Sequence, residues 1–483
     1  MTIPPVFLEL FVLALGILIL VLESFAEKRD RKLFAIIGII GLVVVFLFLQ
    51  GSVPRDSGML SYTVDWPAIF FKKVAVVTTI VVLIMSIDYA DTIKRFLPGG
   101  SSQSGLGEFF ALPILTCAGM MWMSSAIDFI LIFVSLELVT ISFYVLVPFM
   151  RRNAASLEAG VKYLILSALS TGFFVYGITW IYGVTGQTNL NQLQLALPSI
   201  PLENQPGLLF GALLVLVGLG FKIAAAPFQF WVPDVYQGAP TPITAFLSVG
   251  SKSVGFIVLL RVVLAFQTLP AVADKLITAI TLLAAATLLY GNLAALPQTN
   301  FKRLLAYSSI GHAGYLLIAV AAIGSLDSGL AVVVYLAAYL LMTLLSFLIL
   351  VIVSAHADGD DIVHFNGLGK RSPFLAFGLL VAMMSLAGVP LTAGFLGKFL
   401  VFKVAFETRQ FFLIALGILT VGCGFYFYLK VVKAMYWQPA PANASAIPVS
   451  RLSMVAMWIM VVLIFALGIF PQFATGLLPL ASR

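Results

Sequence analysis

Apolar runs of about twenty residues, each long enough to carry a helix across ~30 Å of hydrocarbon, recur from one end of this chain to the other. A backbone in hydrocarbon must satisfy its own N–H and C=O groups, which leaves only helices and closed barrels. The runs lack the period-2 alternation of barrel strands, so they are read as helices. About fourteen spans are expected, near 5–23, 32–50, 74–92, 108–124, 127–149, 158–183, 206–227, 242–265, 272–297, 302–323, 328–353, 373–407, 410–436 and 452–472. Hydrophobic residues make up 61% of the chain and charged residues 10%, against roughly one half and one quarter in soluble domains. The fold class that follows is an all-α polytopic membrane protein.

The first run is too long, and too weakly basic at its start, for a cleaved signal, and is read as a retained span. The longest polar insertions, 51–72, 184–205, 354–372 and 437–451, are too short to hold a soluble core. Any catalytic cofactor is therefore expected on another polypeptide.

The formal net charge of +7 does not point to nucleic acid, because the basic residues sit in small groups at the ends of spans, where they set topology. Placing Lys28, Arg29, Arg31 and Lys32 in the cytoplasm puts Lys94, Arg95, Arg151, Arg152, Lys302, Arg303, Lys370, Arg371 and Arg451 there too. Both termini then face outward. Arg55, Lys72, Lys73, Lys275 and Arg409 fall on the opposite loops and are outnumbered.

Two spans are interrupted in a comparable way, GLGFKIAAAPFQFWVPDV (218–235) and SLAGVPLTAGFLGKFLVFK (385–403). Each has a proline, small residues and a lysine at membrane depth, but Lys222 precedes Pro227 whereas Lys398 follows Pro390. That reversal is what an inverted-topology repeat would give. Proline frees backbone carbonyls, which hydrocarbon tolerates only beside protein or water. Taken singly, either site could be an ordinary proline kink. A buried lysine at both argues for more.

A charge at mid-bilayer costs about 2.5–3.5 kcal/mol on insertion scales, so intramembrane ionisable residues are candidate functional groups. Glu137 lies too deep in IFVSLELVTISFYVL to reach the surface, and Lys252 is as deep in LSVGSKSVGFIVLL. Lys162, in GVKYLILSALS, is nearer a cytoplasmic end and can snorkel. His312, in LLAYSSIGHAGYLL, brings an imidazole, a group that exchanges protons near neutrality and serves equally as an interhelical hydrogen-bond partner. An amine relays protons only if its proton affinity is adjustable: burial disfavours the charged form, and a carboxylate nearby restores it. Glu137 and Lys222 could form such a switch, passing protons on to Lys252, His312 and Lys398, or a static ion pair holding two helices. One carboxylate cannot neutralise three or four amines, which favours the switch. Glu23, Asp88, Asp128, Glu158, Lys403 and Lys430, near span ends, are expected at interfaces or subunit contacts.

No P-loop, dinucleotide glycine fingerprint or haem-ligating histidine pair is found in the sequence. Cys117 and Cys423 lie in membrane runs without metal-site or disulfide spacing and are read as packing residues.

FKIAAAPFQFWVPDVYQGAPTPITAFLSVGSKSVGF (221–256) resembles the antiporter-like membrane subunits of respiratory NADH–quinone oxidoreductase, complex I, with PDVYQGAPTP (233–242) closest to its subunit N. LELVTISFYVL (136–146), EAGVKYLILSA (158–168), NFKRLLAYSSIGHAGY (300–315) and GVPLTAGFLGKF (388–399) extend the resemblance over nearly the whole chain. The resemblance implies fourteen helices with two inverted five-helix repeats, each containing a broken helix. On that scheme residues 1–104 hold helices 1–3, 105–265 the first repeat, 272–436 the second, and 437–483 the last helix. It also implies that Glu137, Lys222, Lys252 and Lys398 are the functional residues of a proton channel, with His312 and Lys162 as weaker candidates. Lysine rather than glutamate at 398, and a chain ending at 483 without a further lateral helix, resemble subunit N. The pattern departs at Gln229, where relatives commonly carry histidine, so a proton role there is in doubt.

By resemblance the chain has no cofactor of its own. NADH, FMN, iron–sulfur clusters and quinone belong to partner subunits, and its partners are neighbouring antiporter-like and small membrane subunits in a bacterial inner membrane. Two competing readings are a subunit of a cation/proton antiporter complex or membrane-bound hydrogenase, and a purely structural subunit.

Overall fold

A computed structural model of the chain describes residues 5–25, 31–55, 57–97, 106–357, 359–440, 446–470 and 472–473. Lys28, Arg29 and the expected boundary at 104/105 lie outside the described residues. In chain order the helices are α1 Pro5–Ser24, α2 Lys32–Gln50, α3 Trp66–Phe96, α4 Leu106–Ser125, α5 Phe129–Leu146, α6 Ala154–Thr185, α7 Leu190–Ala196, α8 Gln205–Ile223, α9 Trp231–Gly238 and α10 Thr241–Phe246. They continue with α11 Lys252–Phe266, α12 Pro270–Ala295, α13 Phe301–Ala321, α14 Ser328–Ala357, α15 Leu368–Arg371, α16 Pro373–Ala387, α17 Ala393–Glu407, α18 Phe411–Trp437 and α19 Arg451–Ile469. Among the described residues no strand forms, and extended pairing is limited to isolated bridges such as Tyr62 with Ala126.

Among the described residues thirteen helical segments are long and apolar enough to cross a membrane, which makes this a multi-pass membrane protein. The fourteenth expected span, 373–407, is two shorter helices, α16 and α17, because the backbone turns left-handed at Gly388 (φ +90) and Leu391 (φ 71). Side-chain caps start several helices: Asp65 accepts from the Ala68 amide, Asn300 from Arg303 and Ser450 from Ser453.

Helices α13 and α14 form the centre, with every residue of their most apolar stretches buried, whereas α1, α2, α6, α18 and α19 expose most of theirs. Their outward residues are large and apolar, as lipid contact requires, for example Phe11, Ile165, Ile418 and Val462. Lipid tails are as apolar as the helices, so close backbone approach rather than hydrophobicity holds neighbours together. Gly177 and Gly211 supply it between α6 and α8, and Gly291 with Gly311 between α12 and α13. A Cβ at Gly177 or Gly291 would collide with the facing backbone.

Lys72 corrects the expected loop assignment. Helix α3 begins eight residues before the expected span, and Lys72 is inside it and fully buried, ion-paired to Glu9 of α1 at 2.8 Å. Pro67 in the first turn and the Asp65 cap start the helix early, before apolarity becomes continuous.

Candidate functional site

The first broken segment ends its inner half at Ile223, where Ala224 turns left-handed (φ 65), three residues before Pro227. Lys222 therefore sits in the last turn of α8, where the helix dipole favours a cation. Its Nζ, 5% exposed as a residue, donates to Thr140 Oγ1 of α5 at 2.9 Å. Thr140 in turn donates to the Leu136 carbonyl at 2.6 Å. Glu137, one turn before Thr140, is half-buried and accepts from Thr171 Oγ1 of α6 at 2.9 Å. Glu137 and Lys222 thus share a helix pair without a direct ion pair. A cavity of about 10 Å³, lined by Thr140, Ser167, Ser170, Thr171 and Lys222, lies between their partners. It has room for about one water molecule and enough hydroxyls to hold it.

Lys252 begins α11 immediately after a π-helical turn, Leu247–Ser251. Such turns re-aim the side chains that follow them and recur at functional sites. Gly255, one turn on, lets α11 pack closely on the end of α8: a Cβ there would lie 2.9 Å from Ile223 Cγ2 and in contact with the Lys222 stem. The Lys252 amine donates to the Ser309 carbonyl at 2.6 Å and also contacts Ser309 Oγ. Ser309 Oγ receives the Tyr339 hydroxyl at 2.9 Å and lies 3.3 Å from that of Tyr236, and Tyr339 is 2.8 Å from Ser248.

From Ser309 the polar row passes to its neighbour Ser308, which bonds the Tyr428 hydroxyl of α18. His312 is held at both nitrogens, Nε2 by Tyr428 at 3.1 Å and Nδ1 by Tyr335 at 2.7 Å. A neutral imidazole so placed donates through one nitrogen and accepts through the other. Tyr335 stacks on Tyr315, whose ring lies 5.1 Å below the Lys398 amine. Lys398 donates to the carbonyls of Leu386 and Ala387 at 3.0 and 2.8 Å. These belong to the last turn of α16, so Lys398, on the second half of its broken span, reaches back to cap the first.

The structure thus buries Lys222, Lys252, His312 and Lys398 and sets half-buried Glu137 beside the partners of Lys222: Ser309, Ser308 and Tyr428 lead from Lys252 to His312, Lys222 packs against the Lys252 helix near Gly255, and Lys398 meets the row through the Tyr315 ring. Among the described residues none of Lys222, Lys252 and Lys398 is ion-paired, so the amines face neutral acceptors. Lys162 stands apart, 40% exposed, between Glu158 and Asp234 at 2.7 Å each. Asp234 also pairs with Arg303 at 2.9 Å, tying α6, α9 and α13 together at the surface. Gln229 is buried at 2% exposure.

Several groups escaped the sequence reading. The hydroxyls of Thr140, Tyr236, Ser309, Tyr335, Tyr339 and Tyr428 carry no charge, so nothing marks them out within apolar runs. Glu9, Lys72 and Tyr62 form a fully buried cluster near one face, with Tyr62 donating to Glu9 at 3.0 Å and accepting from Lys72 at 2.6 Å. Glu23, Asp88 and Lys403, expected at interfaces, find partners inside the chain: Arg31, Ser453 and Asp327. Among the described residues no cluster of three His, Cys, Asp or Glu could hold a metal ion.

Residues 126–424 match the family described as "NADH:quinone oxidoreductase/Mrp antiporter, TM". The chain is 38% identical over 441 residues to NADH-quinone oxidoreductase subunit N 2 of Chloroherpeton thalassium, covering 89% of this chain and 84% of the relative. It superposes on a chain of the Thermus thermophilus respiratory complex I with bound aureothin with a TM-score of 0.79, at 31% identity, over 97% of this chain and 99% of that one. The Mrp complex of Dietzia sp. shares the fold, with a TM-score of 0.80 at 19% identity, over 98% of this chain and 96% of that one. The chain belongs to this family of antiporter-like membrane subunits, on its NADH-quinone oxidoreductase subunit N branch.

Proposed function

We propose that the chain is the proton-translocating membrane subunit N of an NADH:quinone oxidoreductase, a translocase whose redox centres lie on other polypeptides. Electron transfer from NADH to quinone in those partners would drive protons through the Glu137, Lys222, Lys252, His312 and Lys398 row. The observation that carries this reading is the row itself: three buried amines lodged among neutral hydroxyls and carbonyls, with hydroxyl groups leading from Lys252 to His312 between them.

Each amine keeps or gives up its proton according to small changes around it, because hydroxyl and carbonyl dipoles stabilise a cation less firmly than a carboxylate does. Glu137 is half-buried at the edge of the row, so a neighbouring subunit could reach it. Drawing the Glu137 charge toward or away from Lys222 would load or release the Lys222 proton, and the adjoining cavity would let one water carry it. Moving a charge against the membrane potential costs about 2.3 kcal/mol per 100 mV, which a shift of a couple of pKa units supplies.

We further assign residues 105–265 and 272–436 to the two inverted repeats, supported by left-handed breaks after α8 and α16 and by an amine at each break. The basic residues Lys94, Arg95, Arg151, Arg152, Lys302, Arg303, Lys370, Arg371 and Arg451 cluster at one set of helix ends. They support an inner-membrane orientation with both termini outside. NADH, FMN, iron–sulfur clusters and quinone are assigned to partners, together with adjacent antiporter-like and small membrane subunits.

A cation/proton antiporter complex is the second reading, favoured by the fold shared with the Mrp complex. Copurification of the chain with flavin and iron–sulfur polypeptides discriminates the two. Lys222→Ala in the whole complex, reconstituted in vesicles, is expected to abolish this subunit's share of NADH-driven proton pumping with assembly intact. Undiminished pumping would leave the row a packing device only.

A further inference from the structure

A cavity of about 400 Å³ opens at the outer end of the molecule between α3, α11 and α14. Asp65, Arg261, Ser325 and Gly329 line its mouth. Helix register places Phe71, Ile257 and Val333 deepest, since α3 and α14 run inward from Asp65 and Ser328 while α11 runs outward to Phe266. This floor is apolar. Val333 is two residues from Tyr335, whose hydroxyl holds His312, and Ile257 is five residues from Lys252. Along the helix axes these separations are about 3 Å on α14 and about 7.5 Å on α11, so the same two helices line the cavity and hold the row.

The mouth is built for charge. Arg261 lies on the same helix as Lys252, nine residues and about 13 Å farther out. Its Nη2 donates to Asp65 at 2.9 Å and to the Ser124 carbonyl at 3.1 Å, while its buried Nε has no partner. The Asp65 side chain is 37% exposed, so it joins a mostly buried guanidinium to the outer solution. No proton role falls on either residue in the relay derived above.

We propose that this cavity is the outer vestibule through which the row discharges its protons, with Asp65 as the acceptor at its mouth and Arg261 as a fixed charge opposing return. The proposal rests on the relay reading. A proton leaving the row at His312 and Tyr335 breaks an N–H or O–H bond and forms one to water when the floor between Phe71, Ile257 and Val333 is wetted. It then passes to the Asp65 carboxylate and from there to bulk water, without any redox step. The guanidinium repels a hydronium ion coming back, whereas the carboxylate draws one outward.

Gly329 offers a probe, because it lines the mouth, is exposed, and a Cβ there meets nothing within 4 Å. The Gly329→Cys variant of the whole complex is treated on intact cells with a membrane-impermeant cationic methanethiosulfonate. NADH-driven acidification is then measured in inverted vesicles, before and after reductive removal of the label. Leu60→Cys, on an 80% exposed side chain of the outer loop, is the labelled control, and Lys222→Ala calibrates loss of the relay. Labelling at 329 is expected to cut pumping to the Lys222→Ala level and its removal to restore it, with the labelled control unchanged. Full pumping with residue 329 completely labelled, or no labelling from outside, would overturn the vestibule and leave the relay standing. Full pumping in Lys222→Ala would remove the relay instead.

Discussion

At Thr140 one hydroxyl donates to the Leu136 carbonyl and accepts from Lys222, so it can pass a proton from the amine only by rotating away from its own helix. Ser309 is a busier junction, receiving Lys252 and Tyr339 on one oxygen. Ser309→Ala keeps the carbonyl contact to Lys252 and deletes the junction. Assembly is expected to be unaffected and vesicle acidification to fall about tenfold, the equivalent of one lost hydrogen bond to a charged group. An unchanged acidification rate would take Ser309 out of the path. The charged members of the row were legible in the sequence, because a lysine or glutamate in an apolar run stands out on cost alone. The hydroxyls were not. Serine and threonine bond back to their own helix at little cost, as Thr78, Thr79 and Ser86 do in α3, and the sequence cannot tell these from Ser309.

Among the elements, the two breaks were visible through Pro227 and Pro390, yet the backbone turns left-handed before each proline, at Ala224 and Gly388. What the prolines could not reveal is that both amines end up beside the C-terminus of a half-helix, Lys222 from within α8 and Lys398 by folding back from α17 onto α16. The π turn before Lys252 also left no sequence mark, since its residues, LSVGS, are ordinary for a membrane helix. Gly388 makes the second break possible twice over: its φ of +90 suits glycine, and a Cβ there would lie 2.9 Å from Lys398 Cδ. Gly388→Ala is therefore expected to cost about 1–3 kcal/mol through backbone strain and to push Lys398 off the Leu386 and Ala387 carbonyls. The measurable result is a lower thermal midpoint of the solubilised complex together with slowed pumping. A lower midpoint with normal pumping would mean that the Lys398 contact is only structural.

Over the whole molecule, charges sort by task. The row holds amines without carboxylate partners, whereas the charges nearer the end at which α1 and α3 begin are matched, Glu9 with Lys72 and Asp65 with Arg261. Polarity along the sequence hid the first of these pairs, because Lys72 follows the polar stretch that ends at Asp65 and was read with it. Matching buried charges yields little net stability, yet removing one partner strands the other, at about 3–5 kcal/mol. Tyr62 adds a third member, donating to Glu9 and accepting from Lys72, so deleting both ions would leave its hydroxyl buried without partners. Glu9→Leu or Lys72→Met alone is accordingly expected to lower the yield of assembled complex sharply. The pair together should recover part of it, and the triple change with Tyr62→Phe most of it, with vesicle acidification close to that of the unchanged complex. Native-gel assembly and acidification measured across this series check the assignment. If the triple variant assembles but no longer pumps, the Glu9–Lys72 cluster belongs to the proton path rather than to the frame around it.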